Sequence, residues 1–180
     1  LPAGLPVPED DGAADHLRGM RMPHVTLHST GGRDIDVSKL GERRTVIYIY
    51  PRTGVPDRPV PAEWDAIPGA RGCTPESCGF RDHFAEISAL GAGLYGASTQ
   101  DTDYQREAAE RLHLPFELLS DARFELTDAL RLPTFEFEGV RLLKRLTLVV
   151  QAGRVEHVFY PVFPPDRHAE EVVAWLRGRA

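Results

Sequence analysis

Apolar residues recur along the chain in short runs whose period changes from continuous or alternating to about 3.6 and back. Thr45-Val46-Ile47-Tyr48-Ile49-Tyr50 is an almost unbroken β-branched and aromatic run closed by Pro51, which predicts a central strand buried on both faces. Phe80, Phe84, Ile87 and Gly91 return at helical spacing, with Arg81, Asp82, His83 and Glu86 on the other faces. This is an amphipathic helix that closes at Gly91-Ala92-Gly93. Leu94 to Ser98 reads as a second central strand. Thr102 and Gln105 stand at capping-box spacing and Tyr104, Ala108 and Leu112 make one apolar face, so a second helix is expected over residues 102–113, stopped by Pro115. Phe116 to Leu119 is a third strand, and Asp121 caps a short helix that ends at Leu132-Pro133. Leu146 to Val150 and Val155 to Tyr160 form a hairpin about Ala152-Gly153. A last helix opening at Asp166 turns Val172, Val173, Trp175 and Leu176 inward.

The N-terminal part is patterned differently. Pro2, Pro6, Pro8 and an acidic cluster in residues 1–22 show no apolar period, so this stretch is expected to be a loosely held arm, with one domain over residues 23–180. His24 to Leu27 and Ile35 to Val37 flank a turn-rich Ser29 to Asp34, the pattern of an N-terminal β-hairpin. Residues 52–69 hold Pro56, Pro59, Pro61 and Pro68 and read as a long stiff loop leading towards Cys73. Loops longer than about 12 residues in compact domains are usually functional or disordered. Trp64 is expected to pin this loop to the body. Alternating strands and helices followed by a hairpin and a terminal helix imply an α/β fold, a central mixed sheet flanked by helices in a thioredoxin-like layout.

Composition narrows the function more than the fold. The chain has 180 residues, 42% hydrophobic and 27% charged, enough for one substantial core. A net charge of −6, with the arginines scattered among acids, argues against a nucleic-acid partner. No stretch approaches the roughly 20 apolar residues of a membrane span, and Leu1 to Asp11 lacks the basic and apolar segments of a signal peptide. The expectation is a cytoplasmic protein without a membrane partner. Two cysteines cannot make the disulfide framework of a small secreted domain, which leaves a redox pair or plain buried thiols.

Gly72-Cys73-Thr74-Pro75-Glu76-Ser77-Cys78 places a thiol where a loop becomes a helix, with Thr74 suited to cap it and Pro75 to its first turn. The free N–H groups there stabilise a thiolate, the nucleophilic form. Lowering a thiol pKa from about 8.5 to about 6 takes roughly 3.4 kcal/mol, whereas a helix terminus supplies about 2 at best, so a nearby cation is required. Arg71 is the local candidate and a distant arginine the stronger one; Glu76 opposes ionisation unless it turns away. In one regular helix the Cα atoms of Cys73 and Cys78 are about 8.7 Å apart, beyond the ~7 Å reach of a disulfide, so the first turn must unwind before they join. His83 cannot complete a metal site with them, because ligands at this spacing do not face one ion along a helix.

The motifs together resemble the peroxiredoxin Q group, also called bacterioferritin comigratory proteins. The likeness rests on Tyr50-Pro51, Gly72-Cys73-Thr74 followed by Cys78-Gly79-Phe80-Arg81-Asp82, Gly96-Ala97-Ser98-Thr99, Leu118-Leu119-Ser120-Asp121, Arg145-Leu146-Thr147-Leu148 and Gly153 to Phe159. It implies a peroxidatic role for Cys73, a resolving role for Cys78 through an internal disulfide, and for Arg145 the polarisation of a peroxide beside the thiolate. Arg71, Gly72 and Thr74 are the expected substrate contacts. The resemblance further implies a hydroperoxide substrate and a thioredoxin-type reductant; no cofactor is expected, and a resolving cysteine in the same chain makes a monomer the default. One departure stands out. The group's loop normally reads Pro, three residues, Thr or Ser, two residues, Cys, and here those places hold Ala66 and Ala70. Two other functions compete: a disulfide oxidoreductase acting on protein thiols, and a redox sensor without useful turnover.

Overall fold

The computed structural model describes residues 1–180. Seven strands form one sheet, in the order β2 (Asp34–Asp36), β1 (Thr26–Ser29), β5 (Glu117–Ser120), β4 (Gly93–Ser98), β3 (Thr45–Ile49), β8 (Leu146–Gln151) and β9 (Arg154–Phe159). At its centre β3 and β4 run parallel, as do β4 and β5. The remaining pairings are antiparallel: β1 with β2 and β5, β8 with β3, and β9 with β8. This is the expected mixed sheet, and the N-terminal hairpin is an integral edge of it. All of β3 is buried, which is why its sequence is apolar on both faces rather than alternating.

Each face carries its own core. Val46, Tyr48 and Tyr50 point to one side, into a cluster with α2 (Cys73–Ala89) and α5 (His168–Arg177). Ile47 and Ile49 point to the other, where α4 (Glu125–Leu130) contributes Leu126 and Leu130. Ala14, Leu17 and Met22 belong to that second core, and Leu17 is fully buried. The arm expectation for residues 1–22 is therefore corrected: a few large apolar residues, spaced too irregularly to show a period, hold the segment down. Asp11 adds bonds to Lys144 at 3.0 Å and Tyr160 at 2.8 Å.

Local signals were read correctly in type and shifted in detail. Helix α3 (Thr102–Arg111) is capped by Asp101, whose carboxylate accepts from the Tyr104 N–H, one residue before the expected Thr102. The N-cap of α4 is Phe124 rather than the expected Asp121, which reaches the first turn from three residues earlier and accepts from the N–H groups of Leu126 and Thr127. Three elements are additional to those expected. The loop after β3 contains a single helical turn, α1 (Ala62–Asp65), and β6 (Thr134–Phe137) pairs with β7 (Val140–Leu143) in a separate hairpin. Trp64 joins the two, packing on Phe137 at 5.0 Å and Phe135 at 5.9 Å. The loop is thus pinned to the body as expected, and its anchor is the unforeseen hairpin.

Candidate active site

Cys73 is the first residue of α2 and is 4% exposed. The helix starts there because Gly72 adopts φ +116, a left-handed conformation open to glycine. No side chain caps this end, so the capping role expected of Thr74 is corrected: Thr74 and Pro75 lie inside the first turn. A Cβ on Gly72 would come within 2.4 Å of Pro165 Cγ, so the loop, the helix start and the segment before α5 meet at a point that admits only glycine.

Arg145, the residue before β8, supplies the cation. One of its terminal nitrogens donates to Cys73 Sγ at 3.2 Å and to the Ala70 carbonyl at 3.0 Å. The other donates to Glu76 at 2.7 Å, and Nε to the Gly69 carbonyl at 3.2 Å. The Arg52 backbone N–H also points at the sulfur. Arg71 is directed elsewhere: it pairs with Asp65 at 2.7 Å, and its expected place beside the thiol is corrected. The partner in α1 captures it first.

Glu76 has not turned away. Both it and the Arg145 guanidinium are buried, and Glu76 Oε2 has no hydrogen-bond partner. Burial pushes the Cys73 thiol above its ordinary range; Arg145 pulls it back and Glu76 pushes it further up. Burial likewise raises Glu76. Around this sulfur, desolvation outweighs one arginine shared between two acids. Cys73 and Glu76 compete for a single cation. Sequence held a signal for this, since residues three apart on a helix share a face.

A cleft of about 770 Å³ opens over Cys73, Gly72 and Thr74, bounded by Arg52, Thr53, Val55, Trp64 and, from the facing hairpin, Val140 and Leu142. Thr53 is 1% exposed and its hydroxyl has no partner. Its backbone is tied down by Gln100 and by the Tyr104 hydroxyl at 2.7 Å. Sequence reasoning missed this residue, because 19 positions separate it from Cys73. Cys78 is partly exposed on the same helix, and both cysteines are free thiols. Beneath the site, Tyr48 donates to Ser77 at 3.0 Å and stacks on Phe80 at 4.4 Å. His168 is buried between Thr147 at 2.7 Å and Glu171 at 3.1 Å.

Comparison with known proteins adds a lineage to this geometry. Residues 17–174 match the model of the redoxin family. The chain is 28% identical to a chloroplastic peroxiredoxin Q of Oryza sativa subsp. japonica, over 89% of this chain and 67% of the rice protein. It is 26% identical to peroxiredoxin Bcp of Escherichia coli, over 88% and 94% of the two chains. Among solved structures it is similar to peroxidoxin BcpB of Mycobacterium tuberculosis, with a TM-score of 0.74 and 27% identity over 92% and 99%. At 22% identity, a Xanthomonas campestris bacterioferritin comigratory protein shares the fold with a TM-score of 0.70 over 99% of each chain; the work on it concerns alkyl peroxide reduction. No helix is long and apolar enough to cross a membrane.

Proposed function

The chain belongs to the redoxin family as a peroxiredoxin of the Q and Bcp kind, and from that premise we propose that it reduces hydroperoxides through Cys73 and resolves the product through Cys78. The observation that carries this reading is the 3.2 Å contact from the Arg145 guanidinium to the Cys73 sulfur at the start of α2. The sulfur attacks the terminal oxygen of the hydroperoxide, the O–O bond breaks, and Cys73 becomes a sulfenic acid. The departing alkoxide takes up the proton given up by the thiol, so atoms balance: thiol and hydroperoxide yield sulfenic acid and alcohol. Arg145 stabilises negative charge at sulfur and oxygen as it moves. Glu76 holds Arg145 in place and gives the buried site a second seat for the proton.

Both cysteines lie in one helix, so the first turn unwinds to let Cys78 attack the sulfenic acid, releasing water and leaving a disulfide for a thioredoxin-type dithiol. We place this cycle in a cytoplasmic monomer. Burial of Cys73 favours a small hydroperoxide over the protein disulfide that an oxidoreductase would have to admit. The test is stopped-flow oxidation with intact mass read after mixing. Fast oxidation that needs Cys73, with loss of two hydrogens in the parent and a sulfenic or more oxidised adduct in Cys78→Ser, is expected. Oxidation no faster than that of a free thiol overturns the reading.

Thr53 takes the part of the hydroxyl that is missing at position 70. Thr53 is among the residues that line the cleft over Cys73, its buried hydroxyl has no partner, and Pro51 precedes it by two residues. Thr53→Val is expected to lower kcat/KM for hydrogen peroxide roughly 10-fold to 100-fold, the worth of one hydrogen bond to a developing charge. Thr53→Ser retains most of the rate. Equal rates in all three proteins would remove Thr53 from the mechanism.

A further inference from the structure

Residues 1–11 lie against the loop that leads into Cys73. A Cβ built on Gly72 would stand 3.1 Å from Leu1 Cδ2, and one on Gly69 would stand 3.4 Å from Pro8, so the segment touches both ends of residues 69–72. That short stretch serves the site twice. The Gly69 and Ala70 carbonyls receive the Arg145 guanidinium, and Gly72 starts α2. On the proposed cycle, unwinding the first turn so that Cys78 reaches Cys73 displaces it.

The segment is lightly held. No backbone-to-backbone hydrogen bond ties residues 1–11 to the rest of the chain, and of these residues Leu5, Pro6 and Pro8 are half-buried while the others are exposed. A cavity of about 320 Å³ is bounded by Pro8 and Glu9 together with Pro51, Gly69, Ala70 and Arg145, so here the segment borders open space rather than a packed surface. Its anchor is Asp11, whose carboxylate accepts from Lys144 at 3.0 Å and from Tyr160 at 2.8 Å. The Ala13 N–H, the Tyr160 hydroxyl and Lys144 hold that carboxyl at about 2, and the clasp is charged throughout the neutral range. Lys144 immediately precedes Arg145, and just beyond the clasp Gly12 takes φ +76, a turn suited to a hinge. Few buried contacts and a partly exposed ionic anchor mark a segment that opens well before the protein unfolds.

We propose that residues 1–11 form a strap, clasped by Asp11 onto Lys144 and Tyr160, that restrains the first turn of α2 and so sets the rate at which Cys78 resolves the Cys73 sulfenic acid. This rests on the peroxidase reading above. In the step that the strap governs, the Cys78 sulfur attacks the sulfenic sulfur, the S–S bond forms as the S–O bond breaks, and the hydroxyl leaves as water with the Cys78 proton. While the strap holds, the sulfenic acid persists in the closed site, where a second hydroperoxide takes it to the sulfinic acid. Asp11 touches neither cysteine; it is a positioning residue.

The test compares Asp11→Ala and Tyr160→Phe with the parent full chain in stopped-flow reaction with hydrogen peroxide, intact mass being read across a series of peroxide concentrations. Disulfide formation is expected to quicken roughly three- to tenfold in Asp11→Ala, the worth of partly exposed charge-assisted contacts, and less in Tyr160→Phe, which keeps the Lys144 pair. The peroxide concentration that converts half of Cys73 to the sulfinic acid rises by the same factor, and the first oxidation keeps the parent's rate. Amide exchange in the reduced chain quickens over residues 73–78 and not over 84–89, which separates release of the strap from a general loss of stability. An unchanged ratio of disulfide to sulfinic product in Asp11→Ala would overturn the strap, as would a slower first oxidation or exchange that quickens equally in both stretches. Parent protein that oxidises no faster than a free thiol, or that forms no disulfide between Cys73 and Cys78, would instead overturn the peroxidase reading, and the strap with it.

Discussion

At the scale of single residues, the site turns on one cation serving two acids. The Glu76 charge raises Cys73 and Arg145 lowers it, so Glu76→Gln should move the ionisation midpoint of Cys73 to lower pH, and Arg145→Met should move it higher. Thiolate absorbance at 240 nm in a Cys78→Ser background reads both, and an unchanged midpoint in Glu76→Gln would refute the coupling. Stability separates the same pair. Arg145→Met strands Glu76 in a buried place and should cost about 3–5 kcal/mol in urea unfolding, whereas the double variant with Glu76→Gln recovers part of that loss. Cys73, Cys78 and Arg145 were legible in the sequence because each sits inside a recognisable motif. Thr53 was not, since its proposed role depends on a loop that brings residue 53 to the cleft over Cys73. Arg71 misled for a related reason: sequence adjacency to the thiol counts for less than a carboxylate one turn of loop away.

At the scale of elements, the proposed cycle asks α2 to be both the rigid seat of Cys73 and the part that opens. The 17-residue helix is long enough to keep its later turns, anchored by Phe80 and Ile87, while the first is released. Amide exchange over residues 73–80 is expected to be protected in the reduced chain and fast in the disulfide form, with residues 84–89 unchanged. Equal exchange in the two forms would exclude local unwinding. The helices and strands of the sheet were visible as periodic runs, because burial dictates their pattern residue by residue. The β6–β7 hairpin was overlooked although its turn, Glu138-Gly139 with φ +51 and +76, carried the glycine that such a turn asks for. Helix α1 is too short to have a period.

For the molecule as a whole, the segment before the sheet is part of the fold. Leu17→Ala should lower stability by about 2–5 kcal/mol in denaturant unfolding, as for any fully buried leucine; a loss near zero would return residues 1–22 to the status of an arm. Composition concealed this, because prolines and acids outnumber the few residues that reach the core. The C-terminal segment is coupled to the site as well, through the contact that leaves room only for glycine at position 72 opposite Pro165 and through Gly79 beside Ala169. On the proposed cycle that seam is a timer. A sulfenic acid on Cys73 waits until the first turn parts from Pro165, and throughout that wait a second hydroperoxide can convert it irreversibly to the sulfinic acid. On that cycle the fit between a glycine and a proline, neither of which touches oxygen, bears on how many turnovers one molecule completes before its own substrate silences it.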